Sequence, residues 1–558
     1  MEGEEPPPSS PPPASSGPTP NGCALPDGFL QDEALQGHRT AASDAVESLG
    51  KVEDMDLFDH HVVLYERYKG LPRIRVIDRR DPSNWHFVAL PGNTGGTRAG
   101  CSSGGGGDAS GDAGEDTGGA PWPSSATASA SVCVLSPGAN EDSHSPTLRF
   151  TTSSPLSAEG VYDYNMATRE LLVRRETRVR TSSPSSPPPP SPACSPSSPA
   201  EDLPVPLEPP RAYDREEFVC HRIDVPCRNA EGTASVPVTL VHRKDLVTDG
   251  SHPLLLDCYG AYGMTLEPEF RPERLSLLRR GWVVAHAHVR GGGELGNDWY
   301  DAGRLGRKRN TFDDLAAVAN ALVDLGYTES CRMAVTGSSA GGLAVGAVLN
   351  EHPGLFRAAS MHAPFLDPLA AMMDPSLPLT VHEYDEWGDP SRDAAVREYI
   401  AGYSPCDNIR DAPIRGGRAG KGGQGGEQGG EQGRRKQGGQ GRHPGAQAGF
   451  VDDTYPAMLV TCALNDPRVE YWQPAKWVAM LRARQASSSR HSEDASASAG
   501  VGVGAGDESG DVDGDGILLF NCDPEDTGHF GSGGRHEKYR RKATEVAFFL
   551  RQCLPRGV

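Results

Sequence analysis

Residues 332–353 read RMAVTGSSAGGLAVGAVLNEHP, and the fold turns on what Ser339 does there. RMAVTG predicts a short apolar strand. The Ala, Gly, Leu and Val that follow predict a helix, stopped by Pro353, which has no backbone N–H to donate. Ser339 therefore falls where a strand turns sharply into a helix, a place that lifts a hydroxyl clear of a sheet. Gly337, Gly341 and Gly342 suit a turn with no room for side chains. The pattern Gly-x-Ser-x-Gly alone carries little weight. The chain has 67 Gly in 558 residues, and such frequencies give on the order of one chance match. The plain alternative is a helix start with a capping serine, so the surroundings must decide.

Outward from this stretch the text is dense and regular. VPVTLVHRK, HPLLLDCYG, GWVVAHAHV, FRAASMHAP, YPAMLVTCAL and GILLFNCD predict strands. TFDDLAAVANALVDLGY, EYWQPAKWVAMLRAR and HEKYRRKATEVAFFLRQCL predict helices, with Thr311 as N-cap of the first and Gly326 near its stop. Strands alternating with helices of this length predict a mostly parallel α/β sheet.

A serine nucleophile needs a base, and the base needs an orienting carboxylate. The strand YPAMLVTCAL ends in NDPRV, which places Asp466 at a strand's C-terminal end. GILLFNCD leads into PEDTGHF, which places His529 on the following loop. The order serine, acid, histidine, each after a strand, is that of α/β hydrolases. Alone, Asp466 reads as a turn residue and His529 as a surface histidine; together their order and placement point to a triad. A developing oxyanion needs donors. The backbone N–H of Ala340 is one candidate and the hydroxyl of Tyr259, after LLLDC, the other; packing at a strand end is an equal reading of Tyr259 on this logic.

Composition bounds the rest. The 67 Gly and 48 Pro lie in clusters, the hydrophobic fraction is 36%, and the formal charge is −21. That charge argues against non-specific nucleic-acid binding and mildly favours cationic ligands. Twelve cysteines are scattered without a CxxC or Cys/His cluster, which predicts reduced thiols and an intracellular, cytoplasmic protein. MEGEEPPPSSPPP has neither signal-peptide nor transit-peptide character. No apolar run approaches the roughly 20 residues that span a bilayer. GGGELG at 291–296 reads as a loop rather than a phosphate cradle, and no cofactor motif or metal-ligand set is evident.

Upstream, HHVVLYERY, the turn KG and LPRIRVIDR read as a hairpin, with NWHFVALP a third strand. TLRFTTSSP and VYDYNMATRELLVRRE carry further strands, turning at ATRE. The expected organisation is a disordered tail over 1–50 and a partial propeller over 51–180 with low-complexity filler at 92–145. A Pro/Ser-rich linker follows over 181–213, then the α/β-hydrolase domain over 214–558 with insertions at 413–449 and 485–514.

YGAYG, RLSLLRRGWVVAHAHVRGGGELGNDWY, NTFDDLAAVANALVDLGY, GSSAGG, EYDEWGDP and WQPAKWVAMLR, in this order, resemble the prolyl oligopeptidase family of serine peptidases, and within it oligopeptidase B. The likeness runs over about 214–552 apart from the insertions. It implies an α/β-hydrolase domain capped by a β-propeller that admits short peptides. It implies Ser339 as nucleophile, Asp466 as orienting acid, His529 as general base, and Tyr259 with Ala340 as the oxyanion hole. Cleavage after Arg or Lys is implied by acidic pockets: Glu383 and Asp385 for the residue before the scissile bond, Glu267 and Glu269 for the one before that. A carboxylate pair suits the forked donors of a guanidinium. A solvated charged loop is the ordinary fate of such acids. Arg468 resembles a residue that binds substrate carbonyls.

About 120 residues separate Leu57 from the linker, room for about two four-stranded blades at roughly 40 residues each. The propeller is therefore expected to be incomplete. The expected function is a serine oligopeptidase for short basic peptides, without cofactor, metal, nucleic acid or membrane. A prolyl-specific peptidase or an esterase on the same fold is the alternative, and an inactive interaction protein with a truncated cap is the third.

Overall fold

The computed structural model describes residues 50–91, 132–177, 179, 213–414, 454–497, 517–524, 528–529 and 534–554. The expected tail lies outside the described residues apart from Gly50, and so does the expected linker apart from Tyr213.

Two four-stranded antiparallel sheets come first. One has the order β1 (Lys51–Leu57), β2 (His61–Tyr68), β3 (Leu71–Asp78), β4 (Trp85–Phe87), and the other β5 (Val134–Pro137), β6 (Thr147–Ser154), β7 (Ser157–Asn165), β8 (Leu171–Glu176). Each reads as one propeller blade. The KG turn joins β2 to β3, and Lys69 and Gly70 both have positive φ there. Val63, Tyr65, Ile74, Val76, Leu148, Phe150, Tyr162 and Tyr164 form one core shared by the two sheets. They come from the inner faces of the middle strands, as period-two alternation requires. Two strands of these two sheets escaped the sequence analysis. β1 is almost wholly exposed, and β5 lies inside the stretch expected to be filler.

The second region is one eight-stranded sheet. Its strands are β9 (Phe218–Asn229), β10 (Gly232–Arg243), β11 (Leu254–Cys258), β12 (Val283–Ala287), β13 (Met333–Ser338), β14 (Ala358–His362), β15 (Ala457–Ala463) and β16 (Leu518–Asp523). Their spatial order is β9-β10-β12-β11-β13-β14-β15-β16. β10 pairs antiparallel with β9 and β12, and every other neighbour is parallel. This is an α/β-hydrolase sheet. The helices are α1 (Pro272–Leu278), α2 (Asn297–Asp301), α3 (Arg309–Asp324), α4 (Ala340–Glu351), α5 (Pro368–Met373), α6 (Tyr384–Trp387), α7 (Ala394–Ala401), α8 (Trp472–Ala497) and α9 (Arg535–Cys553).

Both faces of the sheet are covered, so its strands read as continuous apolar runs rather than alternating ones. Leu254 and Leu256 of β11 face the core built with α3 and α4. Leu255 between them faces the opposite core, with Leu277, Trp282, Phe548 and Phe549 from the side of α1 and α9.

Thr311 is not an N-cap. α3 begins two residues earlier, and Thr311 is fully buried, its Oγ1 donating to the Arg290 carbonyl at 2.7 Å. Gly326 does follow the helix end, at φ +73°. α8 continues to Ala497, beyond residue 485 where an insertion was expected to begin. Across the other insertion, Tyr455 N donates to Pro413 O at 2.8 Å, so its two ends meet.

Candidate active site

Parallel strands end on the same side of a sheet, and that side is where α/β proteins gather their chemistry. Ser339 follows β13, Tyr259 follows the neighbouring β11, Asp466 lies just beyond β15, and His529 lies beyond β16. Topology alone therefore brings four distant stretches to one edge.

Ser339 has φ +54° and ψ −122°, a strained conformation for a residue with a side chain. The surroundings hold it. Its N–H donates to the His362 carbonyl at 3.0 Å, and its own carbonyl accepts from Gly342 N at 2.9 Å and Phe365 N at 3.0 Å. The glycines are sterically required. A Cβ on Gly341 would stand 2.6 Å from the Cys258 carbonyl oxygen, while one on Gly337 would strike the Gly341 carbonyl and one on Gly342 the Pro364 ring. Ala340, the next residue, is buried at the first position of α4.

Asp466 and His529 are 8% and 6% exposed. His529 Nδ1 lies 2.8 Å from Asp466 Oδ2. The other carboxylate oxygen accepts the backbone N–H of Arg468 at 2.8 Å and of Val469 at 3.2 Å. Burial pushes the Asp466 carboxyl up, but the His529 ring and these two N–H groups outweigh it and hold the group below its ordinary value. Asp466 thus presents a fixed anion to the Nδ1 edge of the imidazole. Burial pushes the Tyr259 phenol up to about 12, with the neighbouring Ser339 side chain opposing that rise. It keeps its proton at neutral pH and remains a donor.

The four acids meet different fates. Glu383 stays at the site. Its Oε2 accepts from Tyr262 OH at 3.1 Å and from Trp387 Nε1 at 3.0 Å. Burial raises its pKa, against these two hydrogen bonds. Asp385 does not join it. It is exposed, and only its backbone carbonyl is engaged, by Arg304 Nη1 at 3.0 Å. The turn α6 carries positions 383, 386 and 387 on one side and position 385 outward. Glu267 is held by Arg67 of β2 at 2.5 Å, so it bridges to the first blade. Glu269 is exposed and pairs with Arg271 at 3.2 Å. The expected second acidic pair is therefore two ion pairs with the chain's own arginines. Arg468 is exposed, and its charge acts on both Tyr259 and Glu383.

Sequence analysis missed Glu386, Trp387, Tyr262 and Lys308. Glu386 is 2% exposed and accepts from Tyr300 OH at 2.8 Å. The signal was present in EYDEW: helical spacing selects Glu386, not Asp385, as the inward neighbour of Glu383. Among the described residues no cluster of three or more His, Cys, Asp or Glu is placed to hold a metal ion, and no helix is long and apolar enough to cross a membrane.

Fold and site geometry define the class: an α/β hydrolase with a candidate serine, histidine and aspartate set at the strand ends. Residues 268–415 match the model of the prolyl oligopeptidase family. Dipeptidyl aminopeptidase BI of Pseudoxanthomonas mexicana is 36% identical over 345 residues, 62% of this chain and 38% of that protein. Protease 2 of Moraxella lacunata is 35% identical over 338 residues, covering 61% and 38%. The structure of oligopeptidase B from Leishmania major aligns with a TM-score of 0.59 at 25% identity, over 90% of this chain and 52% of that one. Over these stretches the chain is similar to the prolyl oligopeptidase family. It spans about two-fifths of the length of the curated relatives it matches.

Proposed function

We propose that this chain is a serine oligopeptidase that cleaves short peptides through an acyl-enzyme. The observation that carries the reading is the buried Asp466–His529 hydrogen bond at the sheet edge where Ser339 turns on its elbow. In this reading Ser339 Oγ attacks the scissile carbonyl while His529 takes its proton. The Tyr259 hydroxyl and the Ala340 N–H receive the oxyanion. His529 then protonates the leaving amine, and water hydrolyses the ester by the reverse path. Asp466 orients the imidazole and stabilises its charged form.

Cleavage after Arg or Lys belongs to the same reading, with Glu383 as the single recognising carboxylate. Its Oε2 is committed to Tyr262 and Trp387, which fixes the carboxylate plane and turns Oε1 to a guanidinium. Arg468 contributes a carbonyl contact. A cytoplasmic location is part of the proposal and rests on the scattered cysteines. A prolyl-specific reading has one observation in its favour: Trp387 is flanked by Tyr262 and Phe365, with ring centroids 5.7 and 5.3 Å away, walls that suit an apolar ring.

Hydrolysis of reporters ending in Arg-Arg, in Gly-Pro and in a p-nitrophenyl ester tests these readings, with Ser339→Ala as control. Arg-Arg cleavage lost in the variant is expected. Preference for Gly-Pro would favour the apolar pocket, and preference for the ester would make the chain an esterase. Comparing free with blocked N-termini separates endopeptidase from dipeptide-releasing action. A folded chain with no Ser339-dependent turnover would make it an interaction protein.

A further inference from the structure

Lys308 stands immediately before α3 and is 1% exposed. A buried ammonium needs strong compensation, because desolvation disfavours its charge. Three partners supply it. The Nζ donates to the Gly260 carbonyl at 2.6 Å, lies 3.5 Å from Glu386 Oε1, and sits 4.9 Å from the centroid of the Trp387 ring. Glu386 is itself fixed through its other oxygen by Tyr300. Burial still draws the Lys308 pKa down to about 8, against the pull of Glu386.

The Gly260 carbonyl is the informative partner. Gly260 directly follows Tyr259 and has φ +72°, a conformation other residues avoid. Thr311 Oγ1 lies 3.3 Å from the same oxygen. A Cβ at position 260 would meet the Thr311 methyl at 2.5 Å, so the turn is also closely packed. The Gly260–Ala261 peptide, one residue beyond Tyr259, is thus pinned by a charged donor. Trp387, which Lys308 faces, also donates through its indole Nε1 to Glu383 at 3.0 Å.

We propose that Lys308 is a positioning residue for the oxyanion hydroxyl: anchored by Glu386, it clamps the Gly260 carbonyl and so fixes Tyr259 against Ser339. This rests on the serine-peptidase reading above. Lys308 touches no substrate. It acts through the turn, and its counter-ion Glu386 is thereby withdrawn from substrate binding, leaving Glu383 as the pocket's carboxylate.

The test is a mutant cycle with Tyr259→Phe, read as kcat, KM and thermal unfolding on the Arg-Arg reporter. Lys308→Met alone would strand a buried Glu386, so the informative variant is Lys308→Met with Glu386→Gln, which removes both charges together. Losing one oxyanion donor costs on the order of a hundredfold in kcat, the expectation for Tyr259→Phe. The charge-free pair is expected to fold with a melting temperature near the parent, and to lose kcat at least about tenfold with KM within about twofold, part of that same donor's contribution. Combined with Tyr259→Phe, it should cost little more than Tyr259→Phe alone, because the clamp has lost the group it positions. Multiplying losses, or an unchanged kcat in the charge-free pair, would overturn the proposal. Should the pair variant not fold, Lys308→Arg keeps the charge while displacing the donor, and the same non-additivity is expected. Absence of any Ser339-dependent turnover in the parent is a separate result, which removes the serine-peptidase reading and this inference with it.

Discussion

Glu383 and Asp385 are two positions apart and meet opposite fates. Glu383 is half-buried under Tyr262 and Trp387, while Asp385 faces solvent. Burial raises the Glu383 pKa above its ordinary 4.5. The pocket's charge therefore disappears at a higher pH than a free carboxylate would allow. KM for a substrate with Arg before the scissile bond is expected to rise as pH falls through that raised value. Glu383→Gln should flatten this dependence and lower kcat/KM on the Arg substrate about thirtyfold, equivalent to a charge-assisted hydrogen bond of about 2 kcal/mol. Paired pH profiles of parent and variant check this; parallel profiles would remove Glu383 from substrate recognition. The same shift has a folding consequence. Between the unfolded value near 4.5 and the raised folded value, the folded state binds more protons, so this group's contribution to stability falls as pH rises through the window. From the residues alone EYDEWGDP reads as a solvated charged loop, the ordinary fate of such acids, and only the family resemblance turned Glu383 inward. The second acid that turns inward, Glu386, is marked by its i, i+3 spacing from Glu383 once the turn is taken as helical, which composition alone does not reveal.

At the scale of the element, the strand–elbow–helix of β13 and α4 was the most legible part of the chain. An all-apolar strand and a small-residue helix leave few alternatives when both faces of the sheet are covered. The glycines carry the geometry. Gly341→Ala would place a methyl 2.6 Å from the carbonyl of Cys258, the residue before Tyr259. A backbone oxygen cannot turn aside as a side chain can. The expected cost is about 2 kcal/mol of overpacking, seen as a melting temperature lowered by roughly 5 °C. Any Ser339-dependent activity should fall further than stability, since the displaced backbone leads into Tyr259. Calorimetry beside kcat measurement decides it; an unaltered melting temperature would show that the turn opens without strain. Thr311 and β1 show where element reading failed. Thr311 sits near a helix start, where threonine favours capping, but its hydroxyl satisfies the carbonyls of a neighbouring loop. β1, KVEDMDL, is a charged strand whose pairing among the described residues is with β2 alone, and nothing in its composition announces a strand.

At the scale of the whole molecule, two kinds of contact join the blades to the α/β sheet. Leu156, at the turn between β6 and β7, packs with Phe218, Leu275 and Leu278, and its carbonyl accepts from Tyr213 OH at 2.6 Å. The first blade instead uses charge. Arg67, 8% exposed, donates to Glu53 at 2.9 Å within its own blade and to Glu267 across the junction at 2.5 Å. No sequence pattern marks a pairing across 200 positions, and the family resemblance alone points Glu267 to the substrate. Burial raises the Glu267 carboxyl and Arg67 opposes that rise. Removing Arg67 should therefore leave Glu267 to take up a proton or to draw water into the junction. Arg67→Met alone is expected to cost about 2 kcal/mol, below the usual cost of breaking a buried pair because Glu267 is partly exposed. Arg67→Met combined with Glu267→Leu should recover most of that loss, since an apolar pair of similar size needs no desolvation. The substrate reading of Glu267 gives the opposite pattern. There, Glu267→Leu would raise KM for Arg-Arg reporters whatever stands at position 67. Chemical denaturation of the two variants, set beside their KM values, therefore separates a structural clamp from a specificity pocket: recovery of stability with unchanged KM assigns Glu267 to the junction, and a raised KM with no recovery returns it to the substrate.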